Sequence, residues 1–129
     1  MMPSTLLDSV IAKAKTLKKT IVLPDATDER AIQAARILTD KGIVSPILIG
    51  KVQTIEAEAE RTGTSLSGIR TIDPEQSEKL SDFSHVFFNL RKAKGLQFAD
   101  AQKQMTNPLF FGAMMVREGM ADGSVAGSL

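Results

Sequence analysis

Cysteine, tryptophan and tyrosine are absent from this 129-residue sequence, and histidine occurs once, as His85. Without cysteine the chain can form no disulfide and offers no thiol nucleophile or thiolate metal ligand. A single histidine also excludes a metal centre built from several imidazole ligands. We therefore expect a metal-free protein, and nothing in the composition favours export.

The sequence also lacks the features that mark a nucleic-acid-binding or membrane protein. Sixteen basic residues nearly balance fifteen acidic ones and leave a net charge of +1, so no basic surface for nucleic acid or an anionic membrane is evident. No apolar run approaches the roughly 18 residues that a spanning helix needs, and no signal peptide is visible. We predict a cytoplasmic protein that has neither nucleic acid nor a membrane as a partner.

What the chain does contain is the composition of an ordinary globular domain, with 43% apolar and 24% charged residues. Its length suits one domain with a sizeable core. We therefore predict a single domain over residues 1–129.

The clearest local pattern is a short apolar run at Thr20–Leu23, which is typical of a parallel strand buried on both faces. Pro24 ends this strand because it has no N–H for a sheet ladder. Acidic and hydroxyl side chains follow at Asp25, Thr27 and Asp28, and Asp28 can cap a helix predicted at 29–41. This strand–loop–helix unit places polar residues at the carboxyl end of a strand, where open α/β sheets bind ligands.

Strand and helix patterns alternate along the rest of the sequence. Further strands are predicted at Ser45–Ile49, 69–72 and 124–126, and further helices at 3–17, 53–62, 75–94, Phe98–Met105 and 109–116. Asp73 and Asn107, each directly before a proline, are predicted to cap the helices that begin after them. Helix 109–116 is apolar nearly all round, so we expect it to be deeply buried. The alternation predicts a three-layer α/β fold, with helices over a mostly parallel sheet of about four strands and Thr20–Leu23 in its interior.

The last predicted strand lies at the end of the sequence, where a βα unit would normally begin its helix. A parallel strand without a following crossover is possible at a terminus, but we favour an incomplete domain. The sequence is thus expected to be one part of a longer protein.

Two cations lie at the end of the predicted helix 75–94. At about 100° per residue, Lys94 falls within the apolar stripe that contains Phe87 and Leu90, and Arg91 lies about 40° from Phe87. Both cations could simply extend to solvent beside the helix C-terminus. Alternatively, the planar Arg91 guanidinium could bind a phosphate or a carboxylate. The residues alone favour the first interpretation.

The acids after the first strand, Asp25, Asp28 and Glu29, also admit two interpretations. They could be acid–base or metal-ligating carboxylates, or Asp28 could cap the helix and pair with Arg30. The residues alone favour capping. At the last strand, Gly123, Gly127 and Ser128 could approach a phosphate, although no glycine-rich nucleotide motif is present.

Six segments, taken in order, resemble the amino-terminal part of phosphate acetyltransferases. They are Ile-Val-Leu-Pro-Asp-Ala-Thr-Asp-Glu-Arg (21–30), Pro-Ile-Leu-Ile-Gly (46–50), Ile-Asp-Pro-Glu (72–75), Leu-Arg-Lys-Ala-Lys-Gly (90–95), Asn-Pro-Leu-Phe-Phe-Gly-Ala-Met-Met (107–115) and Ala-Asp-Gly-Ser-Val-Ala-Gly (121–127). Each segment alone is a weak signal, but together they extend along nearly the whole chain.

The resemblance implies a fold shared in outline with the isocitrate and isopropylmalate dehydrogenases, in which two α/β domains flank a cleft. It also implies a homodimer. It implies reversible acetyl transfer between acetyl phosphate and coenzyme A, without a metal or bound cofactor, by direct attack of the thiolate on the acetyl carbonyl. Arg91 falls on the arginine of the family's Leu-Arg-Lys-x-Lys-Gly motif and is implied to anchor the phosphate. We also predict substrate contacts from Asp25, Asp28, Lys94, Gly127 and Ser128.

The chain departs from the family because it ends at Leu129, ahead of a serine/threonine-rich turn. The serine and aspartate to which the family's chemistry is attributed have no counterpart here, so we expect the 129 residues to be inactive alone. Other functions stay open: a phosphate butyryltransferase, the phosphotransacetylase-like tail of a malic enzyme, or a non-catalytic domain that binds a phosphorylated metabolite or a partner.

Overall fold

Residues 15–126 are described by the computed structural model. The strands are β1 (Thr20–Leu23), β2 (Ser45–Ile49), β3 (Arg70–Ile72) and β4 (Gly123–Ser124). The helices are α1 (Glu29–Asp40), α2 (Val52–Thr62), α3 (Leu80–Arg91), α4 (Phe98–Met105) and α5 (Pro108–Arg117), and short 3-10 turns at Pro74–Gln76 and Lys92–Lys94 flank α3. The predicted helix at 3–17 lies outside the described residues except for positions 15–17, which are helical.

The four strands form one parallel sheet in the order β3-β2-β1-β4. In its register, Val22 of β1 lies opposite Ile47 of β2 on one side and Ser124 of β4 on the other. The prediction that the first strand is interior is confirmed. Its apolar run fits this place because an interior parallel strand is covered on both faces.

Helices cover both faces of the sheet, as the three-layer prediction required. Side chains of successive strand residues point to opposite faces, so each face has its own core. One core contains Val22, Ile47 and Ile49 together with residues of α3, α4 and α5. The other contains Leu23 and Leu48 together with residues of α1 and α2.

The predicted helix 75–94 is broken into three pieces. Asp73 caps the Pro74–Gln76 turn as expected, because its side chain accepts a hydrogen bond from the Glu75 N–H. Ser77 then adopts an extended conformation with φ −80° and ψ 137°, and its hydroxyl accepts a hydrogen bond from the Lys79 N–H. This local bond competes with helical bonding and delays α3 to Leu80.

Helix α5 begins as the sequence predicts, with Asn107 accepting a hydrogen bond from the Leu109 N–H at 2.9 Å. Its inward residues, Phe111 and Met115 among them, are buried. The expectation of deep burial is correct for one side of the helix only, because Leu109 is 50% and Phe110 36% exposed. An apolar composition does not reveal that only one side of this helix meets the sheet.

Gly112 lets α5 lie directly on β1. A Cβ atom at this position would be 3.2 Å from Cγ2 of Val22, 3.9 Å from Cβ of Pro24 and 3.8 Å from the Ser124 hydroxyl. Such a close approach leaves little room for a larger residue. Gly112 therefore sets the distance between this helix and the carboxyl ends of β1 and β4.

Arg36 fastens the loop after α2 to helix α1. Its Nη1 donates to the carbonyl oxygens of Ser65 at 2.9 Å and Ser67 at 2.8 Å. Its Nε and Nη2 donate to Oδ1 of Asp40 at 3.0 and 2.7 Å. One guanidinium thus satisfies two loop carbonyls and is itself held by a carboxylate one helical turn away.

No helix among residues 15–126 is long and apolar enough to cross a membrane. Within the same range, no group of three or more histidine and acidic side chains is placed to hold a metal ion.

Candidate functional site

The strand order reverses at one place on the carboxyl edge of the sheet. From β1 the chain builds β2 and then β3 in one direction, and it then crosses to the far side of β1 to form β4. In open α/β sheets, ligands bind where the order reverses in this way. The candidate crevice therefore lies at the carboxyl ends of β1 and β4, beside the 24–28 loop and the chain leaving Ser124.

Asp25 and Asp28 both lie in the loop at this crevice. The N–H of Asp28 donates to the carbonyl of Asp25 at 2.9 Å, which closes the turn. The Asp28 carboxylate accepts the N–H of Arg30 at 2.8 Å and pairs with its Nε at 3.2 Å. The hydrogen bond from the Arg30 side chain is the main cause that lowers the pKa of Asp28. The capping interpretation of Asp28 is confirmed, while contact of either aspartate with a substrate stays a prediction.

Arg91 is the last residue of α3 and Lys94 ends the 3-10 turn that follows it, and both line one cavity of about 490 Å³. The Arg91 guanidinium carbon is 5.7 Å from the centre of the Phe87 ring, and Phe87 in turn contacts Phe110 edge-on at 6.0 Å. The Arg91 guanidinium thus lies over the Phe87 ring, and this cation–ring contact restricts its direction. The rest of the lining is formed by Gly95, Leu96, Asp100 and Gln104.

The charges of Arg91 and Lys94 are available to a ligand. None of the ion pairs formed among residues 15–126 uses either cation. A pair of cations beside an apolar floor can bind a phosphate or a carboxylate, and the guanidinium adds a planar fork of donors. The arrangement is therefore chemically suited to an anionic group.

Of the predicted site residues, Arg91 and Lys94 line one cavity, and Asp25 and Asp28 lie in the loop after β1. Asp25 and Asp28 are absent from the described lining of the cavity that contains Arg91 and Lys94. The predicted contacts from Gly127 and Ser128 lie outside the described residues.

A larger cavity of about 970 Å³, which the sequence did not predict, lies at the carboxyl ends of β2 and β3. Lys51 and Glu75 pair across it, and this hydrogen bond is the main cause that raises the pKa of Lys51. Arg70 and Lys79 also line it. The polar residues Asp73 and Glu75, directly after β3, are a sequence feature that could have indicated this place.

Comparison with known families decides the relationship of the chain. The family model described as phosphate acetyl/butaryl transferase matches residues 5–129. The chain belongs to this family.

Curated members of the phosphate acetyl/butaryl transferase family are similar over nearly the whole chain. The phosphate acetyltransferase of Acetivibrio thermocellus is 42% identical over 123 residues, which are 95% of this chain and 36% of the relative. The phosphate acetyltransferase of Thermoanaerobacterium thermosaccharolyticum is 39% identical over 125 residues, which are 97% of this chain and 38% of the relative. The chain thus spans little more than a third of the length of the relatives it matches.

Solved structures agree with this relationship. The EutD phosphotransacetylase from Staphylococcus aureus is 32% identical and superimposes with a TM-score of 0.89, covering 98% of this chain and 38% of the other. A phosphotransacetylase from Streptococcus pyogenes is 28% identical, also with a TM-score of 0.89, and covers 100% of this chain and 39% of the other. The α/β architecture is therefore that of the matching region in phosphotransacetylases.

Proposed function

We propose that this chain supplies the amino-terminal part of a phosphate acetyltransferase, which transfers an acetyl group reversibly between acetyl phosphate and coenzyme A. The observation that carries the proposal is the family match over residues 5–129, together with relatives named as phosphate acetyltransferases. The acetyl group is preferred over butyryl because the two relatives described above carry the acetyl name.

In this proposal, Arg91 anchors the phosphate of acetyl phosphate. Its support is the cavity beside Phe87 and Phe110, the neighbouring Lys94 and the absence of an ion pair for either cation among residues 15–126. A charge held in this way stabilises the negative charge that grows on the phosphate oxygens as it leaves.

The chemical step forms one bond and breaks one. The coenzyme A sulfur, as thiolate, attacks the acetyl carbonyl carbon, a carbon–sulfur bond forms, and the carbon–oxygen bond to phosphate breaks. A carboxylate takes the thiol proton. The groups to which the family's proton transfer is attributed have no counterpart in this chain, so residues 1–129 bind and orient but do not complete the reaction.

We assign the remaining substrate contacts to residues at the ends of β1 and β4 and to Lys94 after α3. Asp25 and Asp28 flank the crevice from β1, and Gly127 and Ser128 follow β4 in the sequence. Lys94 adds a second charge beside Arg91. Their role is to hold coenzyme A and acetyl phosphate in one orientation, which lowers the entropic cost of bringing two substrates together.

The same proposal extends to the domain organisation, oligomeric state, location and cofactor requirement of the whole protein. Residues 1–129 form one incomplete domain of a two-domain protein whose fold resembles the isocitrate and isopropylmalate dehydrogenases, and the complete protein is a cytoplasmic homodimer. Coenzyme A takes part as a substrate, and neither a bound cofactor nor a metal is required.

The test is an assay of acetyl-coenzyme A formation by the protein that the complete reading frame containing these residues encodes. We expect turnover with acetyl phosphate and coenzyme A, slower turnover with butyryl phosphate, and none by residues 1–129 expressed alone. Faster use of butyryl phosphate would reassign the acyl group. If neither acyl phosphate is used, the non-catalytic binding domain becomes the favoured function. Turnover by residues 1–129 alone at an ordinary enzymatic rate would contradict the proposal that these residues bind the substrates but do not complete the reaction.

A further inference from the structure

Strand β4 is held in the sheet by few contacts. It has two residues, of which Gly123 has no side chain and Ser124 is exposed. Glycine-rich strands without a buried side chain specify their register weakly, because nothing is lost to the core when they slip. Something other than core packing of its own residues must fix where β4 lies on β1.

Asp122 supplies this attachment through two hydrogen bonds to Thr20. Its N–H donates to the Thr20 carbonyl at 2.8 Å, and its Oδ2 accepts the Thr20 N–H at 2.7 Å. Further along, the Val125 N–H donates to the Val22 carbonyl at 3.0 Å. The side chain of Asp122 thus takes the place of a ladder bond at the start of the β1–β4 pair.

We propose that Asp122 is a positioning residue for the crevice at the carboxyl ends of β1 and β4. Its carboxylate fixes the register of β4 from the amino end and so determines where the chain leaves the sheet after Ser124. Asp122 contacts no substrate in this account. The inference rests on the proposed function, because the crevice is a substrate site only if the complete protein transfers acetyl groups.

The experiment uses the complete protein and three substitutions. Asp122→Ala removes the acceptor, and Asp122→Asn keeps an oxygen in the same place. Asp73→Ala is the matched control, because Asp73 also accepts a backbone N–H, that of Glu75 at 3.0 Å, but within its own turn. Hydrogen exchange of the peptides that carry Thr20 and Val125 is measured beside steady-state kinetics for both substrates.

We expect Asp122→Ala to raise the KM of one substrate about tenfold or more, to leave the other within about twofold, and to speed exchange at Val125. Asp122→Asn restores most of the KM and the protection, and Asp73→Ala changes neither. A purely structural role lowers the amount of active enzyme and leaves both KM values unchanged, and that result would overturn the proposal. If Asp122→Ala does not fold, Asp122→Glu, which displaces the acceptor by one methylene, gives the same comparison.

The experiment distinguishes failure of the proposed acetyl transfer from failure of the positioning role of Asp122. A wild-type protein without acetyl transfer contradicts the proposed function, and the exchange measurement then still decides whether Asp122 holds β4. An active wild-type protein whose Val125 exchange is the same with and without the Asp122 carboxylate contradicts the positioning role alone.

Discussion

Replacing Gly112 by alanine tests the packing of α5 on β1. The added methyl raises helix propensity by about 1 kcal/mol. It also meets Cγ2 of Val22 at 3.2 Å, and forcing an extra methyl group into a tight core typically costs about 1–3 kcal/mol. The second effect is the larger, so we expect Gly112→Ala to lower the free energy of unfolding by about 0–2 kcal/mol.

A double-mutant cycle with Val22→Ala separates the two effects. Val22 is fully buried, so its truncation alone costs about 1.5–3 kcal/mol. In that background the contact is gone, and Gly112→Ala should stabilise by up to about 1 kcal/mol. The sign of the Gly112→Ala effect therefore reverses, with a coupling energy of about 1–3 kcal/mol.

The assay is urea unfolding of the complete protein, followed by a probe of this domain and accepted only where the transition is two-state. The same effect of Gly112→Ala in both backgrounds would contradict a close contact between α5 and Val22. A single variant that gains the full helix-propensity term would also contradict it, because the helix would then not lie against Val22 as closely as described.

Three further outcomes follow from the described contacts. Arg36→Lys should lower the free energy of unfolding by about 1.5–3 kcal/mol, because an ammonium cannot serve both loop carbonyls and Asp40; urea unfolding measures this, and no change would contradict it. Asp28 has a pKa below its ordinary 3.8, so its ionisation contributes stability that is present above pH 3.8 and is lost as the pH falls toward the lower pKa of the folded state. Asp28→Asn should keep the cap and weaken the loss of unfolding free energy at acid pH; the same pH dependence in wild type and variant would refute this. Residues 1–129 alone should self-associate through exposed apolar surface, with Leu109→Ser weakening association in sedimentation velocity; a concentration-independent monomer would disprove the idea.

The Arg36 prediction has its own control in Arg61→Ala. Arg61 is 60% exposed, and within residues 15–126 its partners are the carboxylates of Glu58 and Glu29. Exposed pairs contribute little to stability, because water screens them and both side chains lose freedom. If Arg61→Ala lowers the free energy of unfolding by much more than Arg36→Lys does, Arg61 and not Arg36 is the arginine that stabilises the fold.

Local signals made much of the fold predictable from sequence. The apolar run of β1, Asp28 at the start of α1 and Asn107 before Pro108 each determine structure through neighbouring residues, and each was predicted at the observed place. The parallel sheet also followed from alternating strands and helices. These features need no knowledge of distant contacts.

What escaped prediction depends on contacts between distant parts of the chain or on competing local bonds. The break before α3 comes from one hydrogen bond of Ser77, which a periodic pattern does not show. The exposure of Leu109 depends on which side of α5 meets the sheet. The floor of the Arg91 cavity is completed by Phe110 from another helix, so spacing along α3 could suggest the position of Arg91 but not its surroundings.

The role of Arg91 is the most direct test of the proposed site. In the complete protein, Arg91→Ala should lower kcat/KM for acetyl phosphate by about 10²- to 10⁴-fold while the circular dichroism spectrum is unchanged, since two charged hydrogen bonds are lost. Arg91→Lys should restore only part, because an ammonium keeps the charge and loses the fork. Arg117→Ala is the control, since Arg117 also lies in the last turn of a helix but pairs with Glu118 at 3.0 Å, and it should leave kinetics unaltered. An Arg91→Ala protein with wild-type kinetic parameters for both acetyl phosphate and coenzyme A would contradict the account.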